Sequence, residues 1–132
     1  SLLISVKLSS ERKAAKSNHC LLNYALMTGE EFTGQTTDCP YPTDRSKKGF
    51  ANKIINIVSN EGSRAMVFPV EAPGDSAQFV IAGWNDSILN GNGATLVFSG
   101  KNSAGVNASD RNTFLVTGQT QRFKIKNLCL EY

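Results

Sequence analysis

Histidine is almost missing from this chain of 132 residues: there is one, His19. A catalytic histidine pair is thereby excluded, and any triad has a single candidate. His19 adjoins Cys20, and neighbouring strand residues point to opposite faces, so a Cys-His nucleophile pair is disfavoured. No apolar run approaches the roughly 20 residues that cross a bilayer as a helix. None of the three cysteines stands in a CxxC or Cys/His spacing, which removes the usual zinc frames. The run "GNGATLVFSG" lacks the lysine and context of a phosphate loop. Amphipathic periodicity at 3.6 residues is short everywhere, which argues against a helical bundle. The pair Glu30-Glu31 supplies two carboxylates, but charged turn residues in water lack the setting that shifts a pKa for catalysis.

What is present is an ordinary globular composition: 40% hydrophobic, 19% charged, 11 Gly and 4 Pro. The length suits one domain with a genuine core, expected to span 1–132. Disordered, collagen-like and coiled-coil chains are excluded by the same numbers. A formal net charge of +3 is too weak and too scattered for a dedicated nucleic-acid binder. The opening "SLLISVKLSSERKAAK" carries no cleavable signal pattern. A signal already removed, a cloning boundary or a lost initiator methionine would each leave such a start.

Short β-rich runs separated by Gly, Asn, Asp and Pro dominate the chain. Candidate strands are Leu2–Leu8, Leu21–Met27, Ile54–Val58, Arg64–Val70, Gln78–Ala82, Ala94–Phe98, Phe114–Thr117 and Arg122–Leu130. Such spacing predicts an all-β, two-sheet Greek-key β-sandwich. Leu2–Leu8 would be an extra N-terminal strand, with Ile4, Val6 and Leu8 on one face and Ser5, Lys7 and Ser9 on the other. The last strand would place Phe123, Ile125, Asn127 and Cys129 on one side. "SSERKAAK", Ser9–Lys16, is the best helical stretch and predicts one surface turn. Residues 85–112, dense in Asn, Gly and Ser, read as a long loop region around one strand. "NKIINIV" and "FKIKNLCL" share the frame Lys-Ile-x-Asn-apolar about 70 residues apart, which suggests two related β-motifs.

The cysteines admit one disulfide and one leftover thiol. If Leu21–Met27 and Thr33–Asp38 form a hairpin turning near Gly29-Glu30, Cys20 and Cys39 face each other at its open end. That pairing, with Cys129 free, fits an oxidising compartment. Three reduced thiols in a cytosolic protein are the alternative.

Over about residues 20–84 the chain resembles the Greek-key motif pair of the βγ-crystallins, with the run Glu30–Trp84 carrying the likeness. Phe32-Thr33-Gly34 matches that family's aromatic-x-Gly, and Ile54-Ile55-Asn56-Ile57-Val58 matches its following strand. Gly62 and Arg64–Val70 match the next turn and strand. The likeness extends loosely over 114–132. It implies a two-motif β-sandwich. The family's calcium hydroxyl is missing at both matching positions, Ala51-Asn52 before Ile55-Asn56 and Arg122-Phe123 before Lys126-Asn127, so no metal is expected.

The function expected from these features is binding. The chain reads as a small secreted, extracellular, non-enzymatic protein of toxin or effector type. It would act through loop contacts on a protein or glycan target and use no cofactor. Trp84 is the candidate anchor, since an indole brings large area at low entropy cost, although a core tryptophan is the commoner case. Lys101, Asp110 and Arg111 would supply rim contacts, and Arg45, Lys47 and Lys48 a basic loop able to meet phosphate or to remain solvated. Asn85 and Asn107 begin glycosylation sequons. Two other readings stand beside this one. A protease inhibitor would present a loop around Pro40–Arg45, and a coat subunit would assemble through its sheets. The number of copies is left open.

Overall fold

The computed structural model describes residues 2–39, 49–59, 64–69 and 77–132. Strand β1 (Leu3–Leu8) is followed by a short 3-10 turn and helix α1 (Ala15–Thr28). Then come β2 (Phe50–Ala51), β3 (Ile54–Ser59), β4 (Arg64–Val67), β5 (Phe79–Ala82), β6 (Trp84–Phe98), β7 (Phe114–Thr117) and β8 (Gln121–Glu131). The β-rich expectation holds, and so does the extra N-terminal strand.

The sheet topology differs from the expected one. Every ladder between named strands is parallel: β1 with β3, β3 with β6, β6 with β2, β4 and β8, and β5 with β7. A Greek key is built from antiparallel neighbours, so the two-sheet Greek-key sandwich gives way to a short parallel β-solenoid. Ile54 stands beside Ile88, and Ile88 beside Lys124. Equivalent residues thus recur about every 35 positions, inside the range of stacked structural repeats. Short strands between turn residues are common to both architectures, and strand direction is set by the connections rather than by the strands.

The inward faces form columns running through the layers. Ile4, Ile55, Leu89 and Ile125 occupy one, and Ala65, Leu96 and Leu130 another. Aromatic pairs extend the stacking, with ring centroids 5.1 Å apart for Phe50–Trp84, 5.7 Å for Phe79–Phe114 and 4.9 Å for Phe98–Tyr132. A strand buried on one face needs only alternation, which explains why β1 was legible from Ile4, Val6 and Leu8.

Left-handed residues turn the corners between layers. Asn52, Asp86 and Arg122 have φ of 58°, 52° and 51°, and they occupy equivalent places just past the aligned residues Ala51, Asn85 and Gln121. Asn and Asp tolerate that conformation better than other L-residues. A second corner falls at Asn92 and Asn127, with φ of 52° and 54°. It reverses the side-chain alternation, so Leu128 and Leu130 continue the inward face where Asn127 and Cys129 had been expected. Gly91 allows the adjoining bulge, because a Cβ there would lie 2.5 Å from the Asn127 carbonyl oxygen.

Helix α1 covers the stretch Leu21–Met27, which had been expected as a hairpin arm. His19, Leu22, Ala25 and Leu26 form one buried stripe at helical spacing. Gly29, at φ 68°, ends the helix, its N–H donating to the Ala25 carbonyl at 2.8 Å. The stripe closes the β1 end of the solenoid against β1, β4 and β5. Asn18 ties it down: Nδ2 donates to the Ser9 and Met66 carbonyls at 2.7 and 2.8 Å, and Oδ1 accepts from the Ser9 N–H at 3.0 Å. The Cys20–Cys39 disulfide is present, with Cα atoms 6.2 Å apart. It joins α1 to the residue after the 3-10 turn Thr36–Asp38 instead of closing a hairpin.

Candidate binding surfaces

Trp84 is fully buried, its indole N–H donating to the Leu26 carbonyl at 3.1 Å. It is a core residue stacked between layers, which corrects its place as an exposed anchor. Half of the supposed 85–112 loop region, residues 85–98, belongs to β6, because its Asn and Gly residues serve corner and bulge geometry. The true loop is the segment 99–113. There Lys101 and Asp110 are exposed and Arg111 is half-buried, so three of the expected rim residues do share one loop. Asn102 braces it, Oδ1 accepting from the N–H groups of Ala104 and Val106 at 2.9 and 3.0 Å. Asn107, the second sequon residue, forms an isolated antiparallel bridge with Lys101. Asn85, the first, is half-buried in β6 with Nδ2 donating to the Gly83 carbonyl at 3.3 Å. Arg45, Lys47 and Lys48 lie outside the described residues, as does the inhibitor loop from Pro40 onward.

His19 is buried, stacked on Phe79 with centroids 4.9 Å apart, and its Nε2 meets the Gln78 carbonyl at 2.8 Å. A carbonyl only accepts, so Nε2 carries the proton and the ring serves the core. Glu30 and Glu31 follow α1, and no group of three or more His, Cys, Asp or Glu gathers among the described residues. No helix among those residues is long and apolar enough to cross a membrane.

A different surface emerges from the layer register. On the outward face of the solenoid, Ser5, Asn56, Asn90 and Lys126 form one row across β1, β3, β6 and β8. Leu3, Ile54, Ile88 and Lys124 form the row beside it. Ser5 and Lys7 continue onto a cleft of about 170 Å³ between β1 and α1, floored by Leu21 and Phe32. Neighbouring strands sit about 4.8 Å apart, so the row repeats hydroxyl and amide groups at that interval. Arg122 and Arg64 are paired with Asp86 and Glu131, whereas Lys7, Lys124 and Lys126 have no carboxylate partner among the described residues. The Asn56 Oδ1 is buried and has no hydrogen-bond partner among them. These residues escape a reading by single motifs, since only the recurrence of about 35 residues reveals that they are neighbours.

Comparison with known proteins finds no matching family model, curated protein or solved structure, so the likeness to βγ-crystallins rests on its motif residues alone.

Proposed function

We propose that this is a secreted, non-enzymatic binding protein, of the toxin or effector type expected above, whose target is an extended acidic glycan laid across the outward rows of the solenoid. The observation that carries the reading is the set Lys7, Lys124 and Lys126, without carboxylate partners among the described residues, beside the Ser5–Asn56–Asn90 row. A polymer with regularly spaced hydroxyls and carboxylates or sulfates meets a surface whose polar groups also repeat regularly. Cations on such a face attract it over about a Debye length, which makes the contact salt-sensitive. The apolar row Leu3–Ile54–Ile88 and the Phe32 cleft supply surface for the flat faces of sugar rings. The disulfide supports an oxidising, extracellular setting.

Calorimetry with carboxylated and sulfated oligosaccharides tests the reading. Binding should weaken at least tenfold when Lys124 and Lys126 are both replaced by Ala, and should fade with added salt. Equal affinity for a neutral oligosaccharide of the same length would count against it.

A second reading, contact with a protein through the 99–113 loop, has its own support. The Asn102 brace holds that loop in one shape, which lowers the ordering cost of docking. Replacing Lys101 and Arg111 by Glu would then abolish binding to the target while leaving glycan affinity unchanged.

A further inference from the structure

The two ends of the solenoid differ. Helix α1 closes the β1 end, whereas among the described residues β8 pairs with β6 alone and β7 with β5 alone. Exposure along the inward columns measures what this leaves open. Leu96 is 0% exposed and Leu130, the next member of its column, is 42% exposed. In the column of Ile81 and Val116 the values are 0% and 45%. Beside them the outer edge of β8 has no ladder partner among the described residues, and such an edge is a template for another strand. The side chains there describe what would fit. Inward positions Ile125, Leu128 and Leu130 call for apolar neighbours. Outward positions Lys124 and Lys126 call for carboxylates, in the way Arg122 of β8 already meets Asp86 of the layer before.

We propose that the β7–β8 end docks an extended segment of a partner protein, which adds to β8 in parallel register with apolar residues inward and acidic residues outward. Strand addition of this kind draws affinity from main-chain hydrogen bonds and specificity from alternate side chains. A second copy of this chain fits less well. Its β1 end is covered by α1, so it cannot stack head to tail. Tail-to-tail pairing would be antiparallel and would bring a second Lys124 and Lys126 to the same seam.

The test uses a soluble synthetic peptide of eleven residues alternating Glu with Ile or Val, a peptide with Lys in place of Glu, and hydrogen exchange on the intact protein. The Glu peptide should bind and slow amide exchange along 121–131. Its dissociation constant should rise at least tenfold for the K124E/K126E variant, which should in turn bind the Lys peptide. Leu130→Ser should weaken the peptide while leaving acidic-glycan affinity unchanged, which separates this surface from the outward rows. Absence of β8 protection at millimolar peptide, equal affinity for both peptides, or sedimentation showing that the protein alone dimerises through this end would each overturn the proposal.

Discussion

Arg122 grips Asp86 in the preceding layer with two parallel hydrogen bonds, Nε to Oδ1 at 2.6 Å and Nη2 to Oδ2 at 3.2 Å. Both residues adopt left-handed backbone at the same corner of the solenoid. The donated hydrogen bonds and the adjacent positive charge hold the Asp86 carboxyl below its usual value near 3.8. A depressed folded-state pKa means that the unfolded chain takes up the proton first. The contribution to stability is therefore present above about pH 4 and is lost as pH falls through the folded value. Acid unfolding of Asp86→Asn should show a flatter limb below pH 4 than the parent protein. Because the pair is solvent-exposed, its removal should barely move the melting temperature at pH 7.

The same corner makes a contrast between backbone and charge. Arg122→Gly loses the ion pair but relieves the left-handed conformation, so thermal melting should move little. Arg122→Val loses the pair and places a β-branched residue where it is most strained, so melting should fall clearly. Equal effects of the two variants would show that the corner conformation is unimportant.

Asn56 sets binding against stability. Its Oδ1 is buried without a hydrogen-bond partner among the described residues, and an unsatisfied buried acceptor costs about 1–3 kcal/mol. Asn56→Val puts a good strand former at that place and should raise stability by about 1 kcal/mol in urea unfolding. The same change removes an amide from the outward row and should weaken acidic-glycan binding several-fold. A destabilised variant would show that the amide is satisfied in solution.

Trp84 distinguishes a core residue from an anchor. Trp84→Ala should cost about 3–5 kcal/mol, the range for emptying a large buried site. Native fluorescence should be blue-shifted, resistant to iodide quenching, and unchanged by ligand. Red-shifted, quenchable emission would return the side chain to the surface.

The Cys20–Cys39 link and Cys129 have separate signatures. Without reductant, alkylation should modify one residue, the exposed Cys129. Reduction should lower stability by about 2–4 kcal/mol through the freed loop between the helix and the 3-10 turn. Three alkylated cysteines in the untreated protein would contradict the link.

How much of this the residues reveal depends on the range of the interaction. Strands β1, β3, β4, β5 and β7 were legible because alternation and β-branched runs are local. Helix α1 was missed because His19 and Asn18, buried polar residues, interrupt its apolar stripe, and the cysteine spacing also suited a hairpin. The same Cys20–Cys39 pairing thus suits a hairpin in the sequence and a helix in the structure. Strand direction was illegible, since parallel and antiparallel ladders ask for similar side chains. The repeat was half-visible. Matching by identity aligns Ile54 with Ile125, yet the ladder puts Ile54 in the row of Ile88 and Lys124. A slip of one residue exchanges the two faces of a strand, and it hid the outward row containing Asn56, Asn90 and Lys126. The layer between them, Asn85–Gly91, has the composition of a loop because its asparagines and glycines turn corners.

The central claim is that the outward rows bind an acidic glycan, and its most direct test is a map. Backbone and side-chain amide resonances of the isotope-labelled protein would be followed during titration with a carboxylated oligosaccharide. The account predicts saturable shifts at Ser5, Lys7, Asn56, Asn90, Lys124 and Lys126, with the 99–113 loop unchanged. Shifts confined to Lys101–Arg111, or no saturable shift at low salt, would contradict it.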